Sequence, residues 1–506
     1  MSDQKRNYLP SMTDLMSTPK LKAMANQLNP AAIFNTARSV MEEVAAEAMN
    51  VASERRMPDI SELSERIAAK LKTTQFNHSL PLVNATGVLF SAEMAWSELP
   101  IQAIARQQAS FGGDFSTQKS ETQAAEHSGN PEPNPTLQKH MTPREMICEL
   151  TGAADAVVVN GHAAALLLTF GTLAQHNRFD VLTTPGDLYE TMTGYRIDDI
   201  FLQAGCEPLT VGSLTRATLD EYAAGANDDT AFVYCANGID GCLAVERRLP
   251  PLSQLVDFAR KRNLPLVYDA EWSSFHATDD YGLKNVPICR DLMKQGVSLL
   301  VFSCGGLIGC DFAADWDGID SSISASFMRR CAPAVIAGDK ALIREIRKSP
   351  LFPMFVPSRH DMAALEAVLK LSIPRVSAEN ELPIWQLLST SGDNLKLRAD
   401  RMALQIAAIP GITDASVVSS PAYLTPLRPR YGVPSQEVRV TFADKTALEM
   451  LAALASYRSE QGQTGIAVNS VPEQPNTIAI NLRTVFAKYD MLIIDAVISL
   501  MTDSHT

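Results

Sequence analysis

The chain has 506 residues, a formal net charge of −13, 46% apolar residues and 20% charged ones. This length predicts two or three domains around a sizeable core, and the acidic balance speaks against non-specific attachment to DNA or to anionic membranes. Residues 1–14 lack the apolar stretch of a secretory leader, and the most apolar run, 156–174, is broken by Asn160, Gly161 and His162, so no membrane span is expected.

Residues 1–75 read as an N-terminal helical domain. Asn29-Pro30 opens an amphipathic stretch over 31–51, and Ile60, Leu63, Ile67 and Leu71 recur at three- and four-residue intervals after Pro58. From Leu82 the texture changes. Short β-branched runs at 156–159, 181–184, 230–234, 264–268 and 297–302 alternate with helical patterns at 163–175, 195–204 and 252–261. This predicts a large α/β domain, 76–370, built on a mostly parallel sheet with helices on both faces. The polar segment 112–143, rich in Pro, Asn, Gln and Thr, reads as a long loop. Residues 371–506 read as a smaller α+β domain, with helices at 395–406, 445–457 and 489–501 and strands at 437–442 and 477–482.

Ligands of such sheets sit beyond the carboxyl ends of the strands. Asn160-Gly161-His162, Asp269 and Ser303 each follow a predicted strand and are expected around one crevice. Asn160-Gly161-His162-Ala163-Ala164 is a strand-to-helix turn whose N–H groups suit a phosphate, and His162 either stacks on a ring or caps the helix. Asp269 closes the buried-type strand Pro265-Leu266-Val267-Tyr268. A carboxylate there either caps the next turn or keeps a pyridinium nitrogen protonated, the state in which pyridoxal phosphate (PLP) is an electron sink. In many PLP enzymes a Schiff-base lysine follows that aspartate at the spacing of Val301-Phe302-Ser303-Cys304-Gly305-Gly306-Leu307-Ile308-Gly309. Here no lysine lies between Lys294 and Lys340.

The eight cysteines are scattered, with no C-x-x-C pair and no zinc spacing, so reduced thiols in a cytoplasmic protein without a metal site are expected. Cys304 and Cys310 flank the vacant lysine position and are either nucleophiles in the crevice or inert buried thiols, and the same alternatives apply to Cys235 and Cys242. Glu190, Arg196 and Arg216 follow the second strand and are either anion-site neighbours or surface ion pairs.

Longer motifs carry a resemblance. Asn84-Ala85-Thr86-Gly87-Val88, Gly186-Asp187-Leu188-Tyr189-Glu190, Tyr195-Arg196-Ile197-Asp198-Asp199-Ile200, Gln203-Ala204-Gly205-Cys206, Leu264-Pro265-Leu266-Val267-Tyr268-Asp269 and Ile480-Asn481-Leu482-Arg483 together resemble the bacterial L-seryl-tRNA(Sec) selenium transferases, in order along nearly the whole chain. The resemblance implies a fold-type I PLP-transferase architecture, a homo-oligomer built from dimers, and an N-terminal helical domain that engages tRNA. It points to Asp269, Asn160, Gly161, His162 and Ser303 as cofactor-site residues.

The departures fall on the chemistry. Where that family reads Phe-Ser-Gly-Asp-Lys-Leu-Leu-Gly-Gly-Pro-Gln, this chain reads Phe302-Ser303-Cys304-Gly305-Gly306-Leu307-Ile308-Gly309-Cys310-Asp311-Phe312, which places glycine at 306 in the lysine position. An insertion, 313–331, follows. The Asp-Leu-Gly-Ser-Gly turn becomes Asp269-Ala270-Glu271-Trp272-Ser273, and anion-binding arginines are replaced around Thr136-Leu137-Gln138-Lys139-His140 and Pro353-Met354-Phe355-Val356-Pro357-Ser358-Arg359. Lysine both holds PLP and shuttles protons. Lys284, Lys294 and Lys340 fall elsewhere in the α/β pattern. The expectation is therefore a divergent homologue without the parent activity, a pseudoenzyme with PLP, where bound, held non-covalently. Two alternatives stand beside it: an active PLP-dependent transferase or lyase using another lysine or non-covalent PLP, and a PLP-free enzyme using Cys304, Cys310 or His162.

Overall fold

The computed structural model describes residues 10–25, 33–34, 36–41, 44, 58–75, 82–90, 98–111, 141–174, 178–191, 195–236, 247–271, 273–284, 286–310, 312–313, 330–425, 432–458 and 465–502. They fall into two compact units, Met1–Pro81 and Leu82–Thr506. In the first, helices α1 (Met12–Met16), α2 (Pro19–Ala25) and α3 (Ile60–Gln75) carry an apolar cluster that includes Leu15, Leu21, Leu63 and Ile67. Ser11 starts α1 by accepting a hydrogen bond from the Asp14 amide, which satisfies one of the helix's open donors. The helical stretch expected over 31–51 lies only partly within the described residues.

The second unit is threaded by β1 (Leu82–Asn84) and built on seven strands: β2 (Asp155–Val159), β3 (Asp180–Thr183), β4 (Glu207–Thr210), β5 (Thr230–Ala236), β6 (Leu266–Asp269), β7 (Leu299–Ser303) and, after the two-residue strands β8 (Phe312–Ala313) and β9 (Arg330–Cys331), β10 (Ala334–Gly338). Their order across the sheet is β2-β10-β7-β6-β5-β3-β4. The pairs β3–β4, β3–β5, β5–β6 and β6–β7 are parallel, and β10 alone runs against its neighbours β2 and β7. The carboxyl ends of the other strands therefore share one edge.

The five predicted runs all became strands of this sheet. Two strands were not anticipated, for different reasons. Glu207–Thr210 is a half-exposed edge strand that tolerates Pro208, and Ala334–Gly338 is too short and uniformly buried to show an alternation.

Helix starts follow local chemistry. Thr142 and Glu145 form a reciprocal capping box for α4 (Pro143–Thr151), with proline at its first position, so the predicted loop gives way to helix at Pro143. The rest of that predicted loop, 112–140, lies outside the described residues. Helix α5 (His162–Leu173) follows β2, α6 (Ile197–Gln203) follows β3, and α7 (Leu252–Lys261) precedes β6. The ends of the expected insertion are fastened together, with Phe312 paired to Cys331 and Ala313 to Arg330.

Beyond α8 (Pro383–Ser389) and α9 (Gly392–Ala407), the chain forms β11 (Ile412–Ser419), β12 (Gln436–Phe442), β13 (Gly465–Ala467), β14 (Asn469–Val471) and β15 (Gln474–Asn481). Four of these make a second sheet, ordered β11-β12-β15-β14, while β1 pairs with β13. Arg483, almost fully buried, joins this part to α8. Its guanidinium donates to the carbonyls of Leu387 at 2.9 Å and Thr390 at 2.6 Å, and to Pro434 at 3.1 Å. Burial lowers its pKa to about 10. Among the described residues no helix is long and apolar enough to cross a membrane, and no cluster of His, Cys, Asp or Glu is arranged as a metal site.

Candidate functional site

Strand β6 ends on Asp269, whose side chain has no solvent exposure. An ionised carboxylate in that position needs donors, since an unpaired buried charge costs several kcal/mol. Four converge on it. His162 Nε2 lies 2.8 Å and the Glu271 amide 3.1 Å from Oδ1, while the hydroxyls of Tyr234 and Tyr189 donate to Oδ2 at 2.8 and 3.3 Å. A carboxylate offers about four lone-pair positions. Those of Asp269 are all taken.

His162 is the first residue of α5 and is nearly buried. Gly161, not His162, occupies the cap position, and the imidazole instead turns to Asp269. Its other nitrogen, Nδ1, is 2.5 Å from the Tyr195 hydroxyl and 3.8 Å from Glu271 Oε1. Because an ionised Asp269 only accepts, we assign the proton to Nε2, which leaves Nδ1 to accept from Tyr195. Burial, followed by the adjacent Asp269 charge, pushes the Tyr234 phenol well above its ordinary range, so it remains a donor. The backbones carrying Tyr189 and Tyr195 are hydrogen-bonded to each other. The Thr191 amide donates to the Tyr195 carbonyl at 2.9 Å, and the Ile197 amide to that of Tyr189 at 3.1 Å.

The other expected residues are placed less centrally. Asn160 is exposed and its amide donates to the Phe355 carbonyl at 2.8 Å. Ser303 ends β7, beside β6, and its hydroxyl accepts from the Gly305 amide at 3.1 Å, within its own turn. Gly306 is buried and adopts φ +59°, a left-handed conformation that disfavours side chains. Trp385 fastens this loop by donating to the Leu307 carbonyl at 2.8 Å. Cys304 and Cys310 have no exposure and sit within the apolar core, the setting of inert buried thiols. Cys235 is buried too, and burial raises its thiol pKa; Cys242 is outside the described residues. Arg196 is bridged to Glu190 through the backbone and pairs its guanidinium with Asp198 at 2.7 Å on the surface, while Arg216 is exposed beside Arg248.

A family model described as "SelA: L-seryl-tRNA selenium transferase" matches residues 135–318 and 327–462. The chain belongs to the L-seryl-tRNA selenium transferase family. It is 26% identical to the L-seryl-tRNA(Sec) selenium transferase of Pasteurella multocida over 461 residues, covering 89% of this chain and 91% of that protein. Against the enzyme of Desulfotalea psychrophila it is 26% identical over 415 residues, covering 79% and 80%. Among solved structures, D-glucosaminate-6-phosphate ammonia-lyase superposes with a TM-score of 0.56 at 14% identity, covering 86% of this chain and 99% of that one. The fold is the fold-type I PLP-transferase fold.

Measured against selenium transferase chemistry, the crevice keeps some requirements of PLP and lacks others. The carboxylate at the end of β6 and a twelve-residue helix starting at Gly161-His162 are in place. No lysine occurs from 295 to 339 to take the aldehyde. In the arrangement present, a ring N–H meets Asp269 only by displacing one of its four donors. The stretch that carries the Schiff-base lysine in the family supplies no amine here. Tyr189, Tyr195, Tyr234 and Glu271 were not singled out from the sequence as site residues. Tyr189 and Tyr195 lie in the motifs that carried the resemblance, and Glu271 in the altered turn after Asp269, so the signal was present without a partner to interpret it.

Proposed function

We propose that this chain is a selenium transferase family member that has lost the parent transfer and uses its rebuilt crevice for another small ligand. What carries the reading is the glycine at 306, buried in a loop that Trp385 fastens and left-handed in its backbone, in a stretch without any lysine. The ligand contacts we assign are His162, Gly161, Asn160, Ser303 and Asp269, the last through the side chains already gathered on it. The same reading takes the protein to be cytoplasmic, a homo-oligomer built from dimers, and divided into parts at 1–75, 76–370 and 371–506. An apolar core of its own, including Leu15, Leu21, Leu63 and Ile67, supports the first boundary, whereas the core of the main sheet takes in Trp385, Leu424 and Val433 and so runs across the second. Contact of the N-terminal part with tRNA is inherited from the resemblance.

The test is conversion of seryl-tRNA(Sec) by the purified full-length protein supplied with PLP and a selenium donor. No selenocysteyl-tRNA is expected, and its formation would overturn the proposal. A second reading, an active transferase or lyase with non-covalent PLP, has one observation in its favour: Asp269 keeps its place at the carboxyl end of β6.

A further inference from the structure

Three tyrosines and a glutamate surround the His162–Asp269 pair, yet they are not equivalent. Tyr234 is fully buried and Tyr189 is 8% exposed, and both donate to Asp269. Tyr195 is partly exposed, and its hydroxyl meets the imidazole instead. The sequence carboxylate, imidazole, hydroxyl runs outward from the core at 2.8 and 2.5 Å. A hydroxyl whose proton can pass to an oriented imidazole is an activated nucleophile, and the carboxylate behind the ring fixes its tautomer and stabilises the imidazolium that forms.

We propose that Tyr195, His162 and Asp269 form a cofactor-independent relay in which the Tyr195 oxygen is the nucleophile, His162 the base and Asp269 the positioning residue. The proposal rests on the reading that the crevice is rebuilt, and it adds what the rebuilt crevice does. When the Tyr195 oxygen bonds to an electrophilic centre, its O–H bond breaks toward His162 Nδ1 and the leaving group departs with its electron pair. The imidazolium then returns the proton to the leaving group or to water. The carboxylates of Asp269 and Glu271 lie on either side of His162, at 2.8 and 3.8 Å. They disfavour an anionic partner, so the electrophile class is a neutral or cationic carbonyl compound, such as an ester or amide.

Benzenesulfonyl fluoride is a neutral probe of this chemistry: the tyrosine oxygen forms the S–O bond, S–F breaks, the phenol proton goes to His162, and fluoride leaves. Peptide mass mapping of the full-length protein should find Tyr195 labelled about a hundredfold faster than the half-buried Tyr423, the scale of base assistance. His162→Gln and Asp269→Asn should bring Tyr195 down toward the Tyr423 rate while melting cooperatively. Equal labelling of Tyr195 and Tyr423 in the unmodified protein would overturn the relay, as would an unchanged Tyr195 rate in a folded His162→Gln variant. Should that variant not fold, the two rates within one unmodified molecule still decide. Failure here leaves the seryl-tRNA result standing, and selenocysteyl-tRNA formation would reject the rebuilt crevice whatever the labelling.

Discussion

Two aspartates are buried in the main sheet, and the protein treats them differently. Asp155 opens β2 at the amino edge and Asp269 closes β6 at the carboxyl edge, with 1% and 0% exposure. Asp155 is clamped by Arg347, at 2.7 and 2.8 Å, and by Arg144 at 2.6 Å. Among the described residues, Asp269 is held instead by an imidazole, two phenols and an amide. Guanidinium stays charged at every accessible pH and fixes a carboxylate permanently. Imidazole and phenol can exchange protons. The amino edge is therefore a fastening, and the carboxyl edge keeps the means for proton chemistry although the lysine is gone.

Removing each carboxylate should sharpen that contrast. Asp155→Ala removes three charge-assisted hydrogen bonds from arginines that remain partly solvated, and urea unfolding should show a loss of about 3 kcal/mol. Burial alone would raise the Asp155 pKa, but the Arg347 and Arg144 hydrogen bonds outweigh it and hold the carboxyl well below the usual range. A depressed folded pKa means the contribution is complete above the unfolded value of about 3.9 and is lost as pH falls toward the folded value. Acid unfolding of the parent should accordingly steepen below about pH 4, and Asp155→Asn should flatten that limb; an identical acid limb would remove Asp155 as the fastening.

Asp269→Asn leaves hydroxyls rather than arginine charges behind, so its cost should be smaller, about 1–3 kcal/mol by the same unfolding curve. A loss as large as that of Asp155→Ala would make the carboxyl edge a second fastening. Gly306→Ala should lose about 1–2 kcal/mol through its left-handed backbone, and a neutral outcome would mean that the loop readily adopts another conformation. Trp385→Phe should cost about 1 kcal/mol and speed amide exchange around 306–309; unchanged exchange would show that the indole does not fasten the loop. Tyr195→Phe, at a partly exposed site, should change stability least, by under about 1 kcal/mol, while abolishing the sulfonyl adduct there.

Much of the scaffold was legible because buried parallel strands announce themselves as β-branched runs, as at Thr230–Ala236, which is buried throughout. Asp269 and His162 were legible as crevice residues from their place after strands. Their bond to each other was not, since 107 positions separate them and only the parallel crossover brings them together. Cys304 was ambiguous in sequence because a thiol in a glycine-rich loop reads alike whether buried or exposed; packing of the loop against α8 buries it. Tyr195 was hidden because the sequence pattern placed it in a helix over 195–204, whereas the helix begins at Ile197 and the Tyr195 ring serves the site.

We infer that no amine of this protein anchors PLP. Absorption spectra of the full-length protein with PLP, followed by borohydride reduction and peptide mapping, test it most directly. No Schiff-base band and no lysine carrying a reduced pyridoxyl group are expected. A band with one labelled lysine would contradict that inference and would identify the anchor.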